Sequence, residues 1–328
     1  MNRKKFSFFL FILFHFFSCK KYDTIDENIV NKLVNEAYAI NDVEYISPDV
    51  AIAAGGNRRV FGYIWRTTDA GLNWTQVYSF EFNTIYDIQF LDANIGYACG
   101  ENFLLLKTTD GGVSWNRIYI PVPEIEGHPQ FMNLKKMIFF NETSAYLVGG
   151  QNFNGGTIIK TTDGGISWQY ELYKSAIEGV YFFNESAGVI GGYGSMRRTI
   201  DSGQYYELLD IKNDYFNAIS FLDNTIGFSV GYNGGIYKTA DAGATWIKVE
   251  PFNKVFQKRT HFNDILFINN STGFIAANKG IVLKTTDGGD TWQEVSVDTD
   301  ENFLSVSKDD FGRVHFSTSN GKIYTITL

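Results

Sequence analysis

One eight-residue pattern recurs six times along the chain. It reads Thr67-Thr-Asp69-Ala-Gly71-Leu-Asn-Trp74, Thr108-Thr-Asp110-Gly-Gly112-Val-Ser-Trp115 and Thr161-Thr-Asp163-Gly-Gly165-Ile-Ser-Trp168. It returns as Thr199-Ile-Asp201-Ser-Gly203-Gln-Tyr-Tyr206, Thr239-Ala-Asp241-Ala-Gly243-Ala-Thr-Trp246 and Thr285-Thr-Asp287-Gly-Gly289-Asp-Thr-Trp292. Five of the six tryptophans in the chain occupy this single position. Self-similarity at a period of tens of residues restricts a chain to repeat architectures, so the period decides the fold.

A second register sets the number of repeats. Ahead of each box lies an apolar strand with an aromatic near its end: Val43-Glu-Tyr45, Ile88-Gln-Phe90, Met137-Ile-Phe139, Val180-Tyr-Phe182, Ile219-Ser-Phe221 and Ile265-Leu-Phe267. A seventh, Val306-Ser-Lys308, follows the last box. Each is followed by a turn and a second apolar strand such as Gly96–Gly100, Gly227–Gly231 or Gly273–Ala277, then by a third strand leading into the box and a fourth leaving it. Four short strands per ~44 residues is the spacing of a propeller blade. The expectation is all-β: a seven-bladed β-propeller of four-stranded antiparallel blades. The chain ends at Gly321–Leu328 with what matches a third strand and no box after it, while Lys32–Ile40 precedes the first blade with nothing to belong to. An N-terminal strand supplied by that segment would complete the last blade and close the ring, pairing edges that would otherwise stay open. Composition agrees: 32 glycines, 29 Phe and 19 Tyr favour strands and tight turns, and 44% apolar residues can bury a core, which excludes intrinsic disorder.

The spacing Ser/Thr-x-Asp-x-Gly-x-Ser/Thr-Trp resembles the Asp-box, or bacterial neuraminidase repeat. Each residue has a local mechanical task. The aspartate accepts backbone N–H bonds inside the turn, the glycine permits a positive φ, and the tryptophan wedges between sheets. Asp69, Asp110, Asp163, Asp201, Asp241 and Asp287 stand on different blades, so they cannot converge on one substrate, and no box alternates acids as an EF-hand loop does. Together with Trp74, Trp115, Trp168, Trp246 and Trp292 they read as structural. Blade four has Tyr206 in place of the indole, and its turn is expected to be the loosest. Cys99 aligns with Val148, Ile190, Val230 and Ala276 and reads as a small core residue.

Met1–Ser18 has the basic start Arg3-Lys4-Lys5 and the apolar run Phe6–Phe17, too short to span a bilayer with margin but flanked as a secretory signal is. Phe16-Phe17-Ser18-Cys19 resembles the lipobox of bacterial lipoproteins, which implies cleavage before Cys19 and acylation of its thiol; an ordinary signal peptide cut nearby is the plainer alternative. The resulting division is a lipoprotein signal peptide over 1–18, a lipid-anchored linker over 19–31 and the propeller over 32–328. Lys20 after the cysteine gives no sign of inner-membrane retention, so the expected address is the cell envelope, as an outer-membrane lipoprotein facing either the periplasm or the surface. Losing residues 1–18 takes the net charge from −8 to −11, the opposite of the basic face that nucleic-acid binders present. With Cys19 acylated, Cys99 is the remaining thiol and no intrachain disulfide can form.

Motifs for chemistry are scarce. The sequence has no His-Glu-x-x-His, no Gly-x-Ser-x-Gly and no phosphate-cradling loop, and four histidines leave little for a metal centre. Sialidases share the boxes, and that resemblance would imply three substrate-binding arginines, one in an Arg-Ile-Pro motif. None of the five prolines here follows Arg-Ile, and Arg58, Arg59 and Arg66 do not recreate the motif. The repeat apolar-x-Phe-x-Asp/Asn-x-x-x-Gly-Tyr/Phe…Gly-x-Ile-x-Lys-Thr-Thr-Asp-Gly-Gly-x-Thr-Trp is similar, over almost the whole chain after residue 18, to the photosystem II stability/assembly factor propellers. That resemblance implies a non-catalytic propeller, without catalytic residue, metal or cofactor, that binds a protein partner in part through an arginine-rich patch.

In a blade built this way the box turns and first hairpins share one face, and the inter-blade and second–third strand loops share the other. The second face carries the variable loops, where binding residues commonly sit. They contribute Arg58 and Arg59, His128 in Pro121–Leu134, then Lys135 and Lys136, Arg197 and Arg198, and Lys258, Arg259 and His261 in Pro251–Phe262. Tyr86, Lys135, Glu178, Asn217 and Asn263, just ahead of inner strands, are expected to ring the funnel mouth. Cations and aromatics gathered on one face of an acidic chain suit an acidic protein segment or a glycan. The rival readings are a glycan-binding adhesin and a sialidase-like glycoside hydrolase, whose paired carboxylates would not be visible in a sequence.

Overall fold

The structure is a computed structural model that describes residues 24–25, 29–33, 38–121, 132–151, 153–211, 214–249 and 260–328. Seven antiparallel meanders are arranged as the blades of a seven-bladed β-propeller. Their inner strands are Ala39–Tyr45, Ile85–Phe90, Leu134–Phe139, Ile177–Asn184, Phe216–Phe221, Phe262–Phe267 and Phe303–Lys308.

Burial along a blade follows the radial position of each strand. The second strands Gly96–Gly100, Ala145–Gly150, Gly227–Gly231 and Gly273–Ala277 are buried at every residue, because neighbouring blades cover both faces. Their sequences therefore read as continuous small and apolar runs instead of alternating. The outer strand Thr75–Glu81 has no fully buried residue. The core lies in the wedges between blades: Tyr97, Cys99 and Leu105 of the second pack with Met137, Phe139, Leu147 and Ile159 of the third, and the Tyr97 and Phe139 rings stack 3.6 Å apart. Cys99 is fully buried there, and burial pushes its thiol pKa up.

Every box makes the same turn. In the first, Thr67 Oγ1 donates to Asp69 Oδ1 at 2.7 Å, and Asp69 Oδ1 accepts the Asn73 amide at 2.8 Å while Oδ2 accepts Asn73 Nδ2 at 2.7 Å. Bonds from Asn73, then Thr67, hold the exposed Asp69 carboxyl down at about 2. The fourth box keeps the Tyr205 amide bond to Asp201 at 3.0 Å, but Tyr205 offers no hydroxyl to the second carboxylate oxygen, so that turn has one bond fewer. Each box aromatic packs on the blade before its own: Trp115 on Ile52 and Ala54, Trp292 on Phe228 and Val230, Tyr206 on Tyr146 and Val148.

The ring closes between its first and last blades. Ile29–Leu33 pairs antiparallel with Lys322–Thr327 and is the outer strand of blade seven. This strand lies earlier than the expected segment 32–40, because Ala39 and Ile40 already pair with Gly56 and Gly55 in blade one. Thr24–Ile25 adds a fifth, parallel strand to the outer edge of blade six. Propeller strands therefore begin before residue 32, inside the segment expected as a linker. The seam itself is packed: His315 stacks on Tyr45 at 4.1 Å, Ser307 Oγ donates to the Val43 carbonyl at 2.7 Å, and Trp74 packs in one cluster with Ile323.

Candidate binding face at the channel mouth

All seven inner strands break register at the same place, between Ile40 and Asp42, Ile85 and Asp87, Leu134 and Lys136, Ile177 and Gly179, Phe216 and Ala218, Phe262 and Asp264, and Phe303 and Ser305. Such a bulge inserts one residue and re-aims its side chain. The inserted residues are Asn41, Tyr86, Lys135, Glu178, Asn217, Asn263 and Leu304, and all seven line one cavity of ≈ 380 Å³ at the mouth of the central channel. The five expected at this mouth are among them.

The bulges also stitch the blades together. Asn41, Asn217 and Asn263 each donate an amide N–H to a carbonyl of the next inner strand, at 2.6, 2.7 and 2.6 Å. One residue on, Asp42, Asp87 and Asp264 accept the amides of Ile88, Met137 and Val306 at 3.1, 2.8 and 3.0 Å. Lys136, read from sequence as a loop-face cation, lines the same cavity and also reaches down to this carboxylate layer. Its ammonium lies 3.1 Å from Asp87, and although burial opposes its charge, Asp87, Asp264 and Asp42 raise its pKa. It serves as counter-ion to the channel carboxylates.

The mouth itself is organised by Glu101, which is 2% exposed. Its Oε2 accepts the amides of Arg59 at 2.8 Å and Thr84 at 3.0 Å, and its Oε1 accepts the Tyr86 hydroxyl at 3.1 Å. The half-exposed Arg58 guanidinium stands 3.6 Å from the same carboxylate. Burial, with Glu101 alongside, pushes the Tyr86 phenol up, so it stays a donor. The Lys135 ammonium sits 3.9 Å over the Tyr86 ring and 4.0 Å from Glu178. Arg58, Tyr86 and Lys135 are thus brought together at the mouth, and Arg59 joins through its backbone amide.

Beside this cluster runs a band of rings from different blades. Phe153 meets Tyr193 at 4.9 Å and Tyr215 at 5.6 Å; Tyr215 meets Tyr232 at 5.6 Å, and Tyr232 meets His261 at 3.6 Å. Phe153 and Tyr232 are largely exposed. Burial, and then Lys279, holds the His261 pKa below its ordinary value, which favours the neutral ring. Sequence reasoning missed Glu101 of blade two, Tyr193 of blade four, and Tyr215 and Tyr232 of blade five.

Arg197 and Arg198 do not join the mouth. The hairpin turns tightly at Tyr193-Gly194, so both fall in the strand Ser195–Thr199 and leave opposite sides of the blade. Arg197 lies 4.8 Å over the Tyr173 ring in a separate cleft between blades three and four. Arg198 donates from Nε to the Ala242 carbonyl at 3.1 Å, in the fifth box on the opposite face; Arg66 makes the matching bond to Gly111 at 2.9 Å. Cys19, His128, Lys258 and Arg259 lie outside the described residues. Among the described residues no group of three or more His, Cys, Asp or Glu side chains is placed to hold a metal ion.

The sequence model of the family described as "Photosynthesis system II assembly factor YCF48" matches residues 70–169 and 200–327. No curated protein sequence matches the chain. Among solved structures, YCF48 bound to D1 peptide is 19% identical with a TM-score of 0.74, over 94% of this chain and 99% of that one. YCF48 from Cyanidioschyzon merolae is 16% identical with a TM-score of 0.70, over 90% and 98%. The GH74 xyloglucanase from Xanthomonas campestris is 12% identical with a TM-score of 0.66, over 90% of this chain and 53% of that one. At these identities the likeness is one of fold.

Proposed function

The chain belongs to the photosynthesis system II assembly factor YCF48 family, and from that premise we propose that it is a non-catalytic, lipid-anchored scaffold of the cell envelope that binds a protein partner across the loop face around the channel mouth. The observation that carries this reading is the pairing of the Arg58–Lys135 cation cluster with the band Phe153–Tyr193–Tyr215–Tyr232–His261 on that face, of which Phe153 and Tyr232 are exposed. Arginine and aromatic side chains held by a rigid framework are the usual anchors of protein interfaces. A cationic mouth in a chain of formal charge −8 favours an acidic segment of the partner. The solved YCF48 relative with a bound D1 peptide lends support by precedent within the fold.

The non-catalytic part rests on how the channel acids are used. Asp42, Asp87 and Asp264 are each committed to a backbone amide of the next blade, and the box aspartates to their own turns. A photo-crosslinking residue placed at Phe153 or Tyr232 in the native host should capture a discrete protein that Arg58→Glu with Lys135→Glu releases. Crosslinks that survive the double reversal, or turnover of fluorogenic glycosides or sialosides by the purified protein, would overturn the proposal.

A further inference from the structure

The fifth strand of blade six fixes where the leading segment leaves the ring. Gln293–Val295 follows the sixth box directly, so it runs from the box face toward the loop face. That the first hairpins share the box face is seen in the Gly288 amide, which donates to the Ser271 carbonyl of that hairpin at 2.8 Å. Thr24 and Ile25 pair with Glu294 and Val295 in parallel. The chain therefore enters Thr24 from the box-face end of the blade. Cys19 is five residues upstream, a reach of at most ~18 Å for extended chain.

We infer that, once acylated at Cys19, the propeller is tethered at the outer edge of blade six with its box face toward the lipid surface and its channel mouth turned away from it. The inference rests on the lipid-anchor reading above. The membrane-side face carries exposed apolar tips on successive blades, Leu72, Val113 and Ile166 at the same box position, as the loop face does with Phe82, Tyr119 and Phe153. The same face carries the hairpin acids Asp92, Glu142, Glu185 and Asp223, which oppose close docking on anionic lipid. That repulsion fades beyond ~8 Å at physiological salt, a distance the tether spans. The geometry leaves the loop face open to a partner in the aqueous compartment.

The test uses the full acylated protein in phosphatidylethanolamine–phosphatidylglycerol vesicles doped with a headgroup-nitroxide lipid. Single cysteines carry a bimane label: Val113→Cys and Ile166→Cys on the box face, Asn154→Cys and Asn233→Cys on the loop face. Cys99 is fully buried and stays unlabelled. Loss of fluorescence at the first pair with none at the second is the expected result; equal quenching, or the reverse, overturns the orientation. The mass of the amino-terminal peptide from the same sample reads the anchor separately. If the acyl chains are absent, the anchor reading falls and takes the orientation with it; if they are present without the asymmetry, the orientation alone falls.

Discussion

Gly289 of the sixth box lies flat against the Phe228 ring of the fifth blade, so close that a Cβ built on it would overlap the ring edge. The box glycine is therefore an inter-blade contact as well as a turn residue, and its φ of 86° is one that side chains resist. Gly289→Ala should cost about 1–3 kcal/mol from overpacking, with roughly 1–2 kcal/mol more from the left-handed backbone. A urea midpoint unchanged from the parent would refute this.

The residue before the box glycine has the opposite problem. Ala242 holds φ 56° with a side chain in place, where three other boxes have glycine. Relief of the left-handed strain, ~1–2 kcal/mol, exceeds the ~0.5–1 kcal/mol entropic cost of a glycine. Ala242→Gly should accordingly stabilise the fold by up to about 1.5 kcal/mol, read as a higher urea midpoint; a lower midpoint would mean the turn is not strained.

The fold was legible because its determinants are local and repeated. Thr67 and Asp69 build their turn within seven residues, Trp74 carries it onto the neighbouring blade, and the same solution recurs along the chain. The carboxylate contact of Lys136 and the position of Arg198 were hidden for a different reason. Whether an inner-strand side chain turns to the rim or down the channel depends on a bulge that leaves no composition signal, so Lys135-Lys136 reads as one basic pair while the structure gives the first to Tyr86 and Glu178 and the second to Asp87. Arg198 did carry a signal: it directly precedes the box threonine, as Arg66, Lys107, Lys160, Lys238 and Lys284 do. Glu101 and the tyrosines of the aromatic band carried none, since their meeting depends on how neighbouring blades pack side by side.

Glu101 supports the mouth from below. Glu101→Ala strands the buried Thr84 amide and frees Arg58, which should cost about 1–3 kcal/mol and weaken partner binding. Glu101→Gln keeps an acceptor for that amide and should lose less. Thermal unfolding of both variants beside the parent checks the order, and equal melting points would sink it.

The channel acids make stability depend on pH. Burial, then the Asp42 charge, raises Glu44 to about 8; burial, with Lys136 opposing and Asp87 assisting, raises Asp42 to about 7. Both folded values exceed the ordinary unfolded ones near 4. Their contribution is therefore fully present below pH ~4 and is lost as pH rises toward 7–8. The box aspartates, with lowered values, act in a separate window below pH ~4. Glu44→Gln retains an acceptor for the Phe90 amide, which now donates at 2.8 Å, and removes one titration. It should gain about 1–2 kcal/mol on the parent at pH 9 and nothing at pH 4; a gain independent of pH would assign the effect to packing.

Ring closure gives the last prediction. Five register pairs, Ile29 with Ile326 through Leu33 with Lys322, cover the outer edge of the final strand. A chain beginning at Tyr38 keeps the packed seam of His315 on Tyr45 but leaves that edge without its partner. At roughly 1 kcal/mol net per backbone bond, the loss should amount to about 3–5 kcal/mol. An uncovered edge is also a template for pairing with another chain, so the shortened protein should melt earlier and associate with increasing concentration. Calorimetry and light scattering read the two effects independently. A shortened ring that melts with the parent and stays monomeric would mean that the seam alone holds the propeller closed.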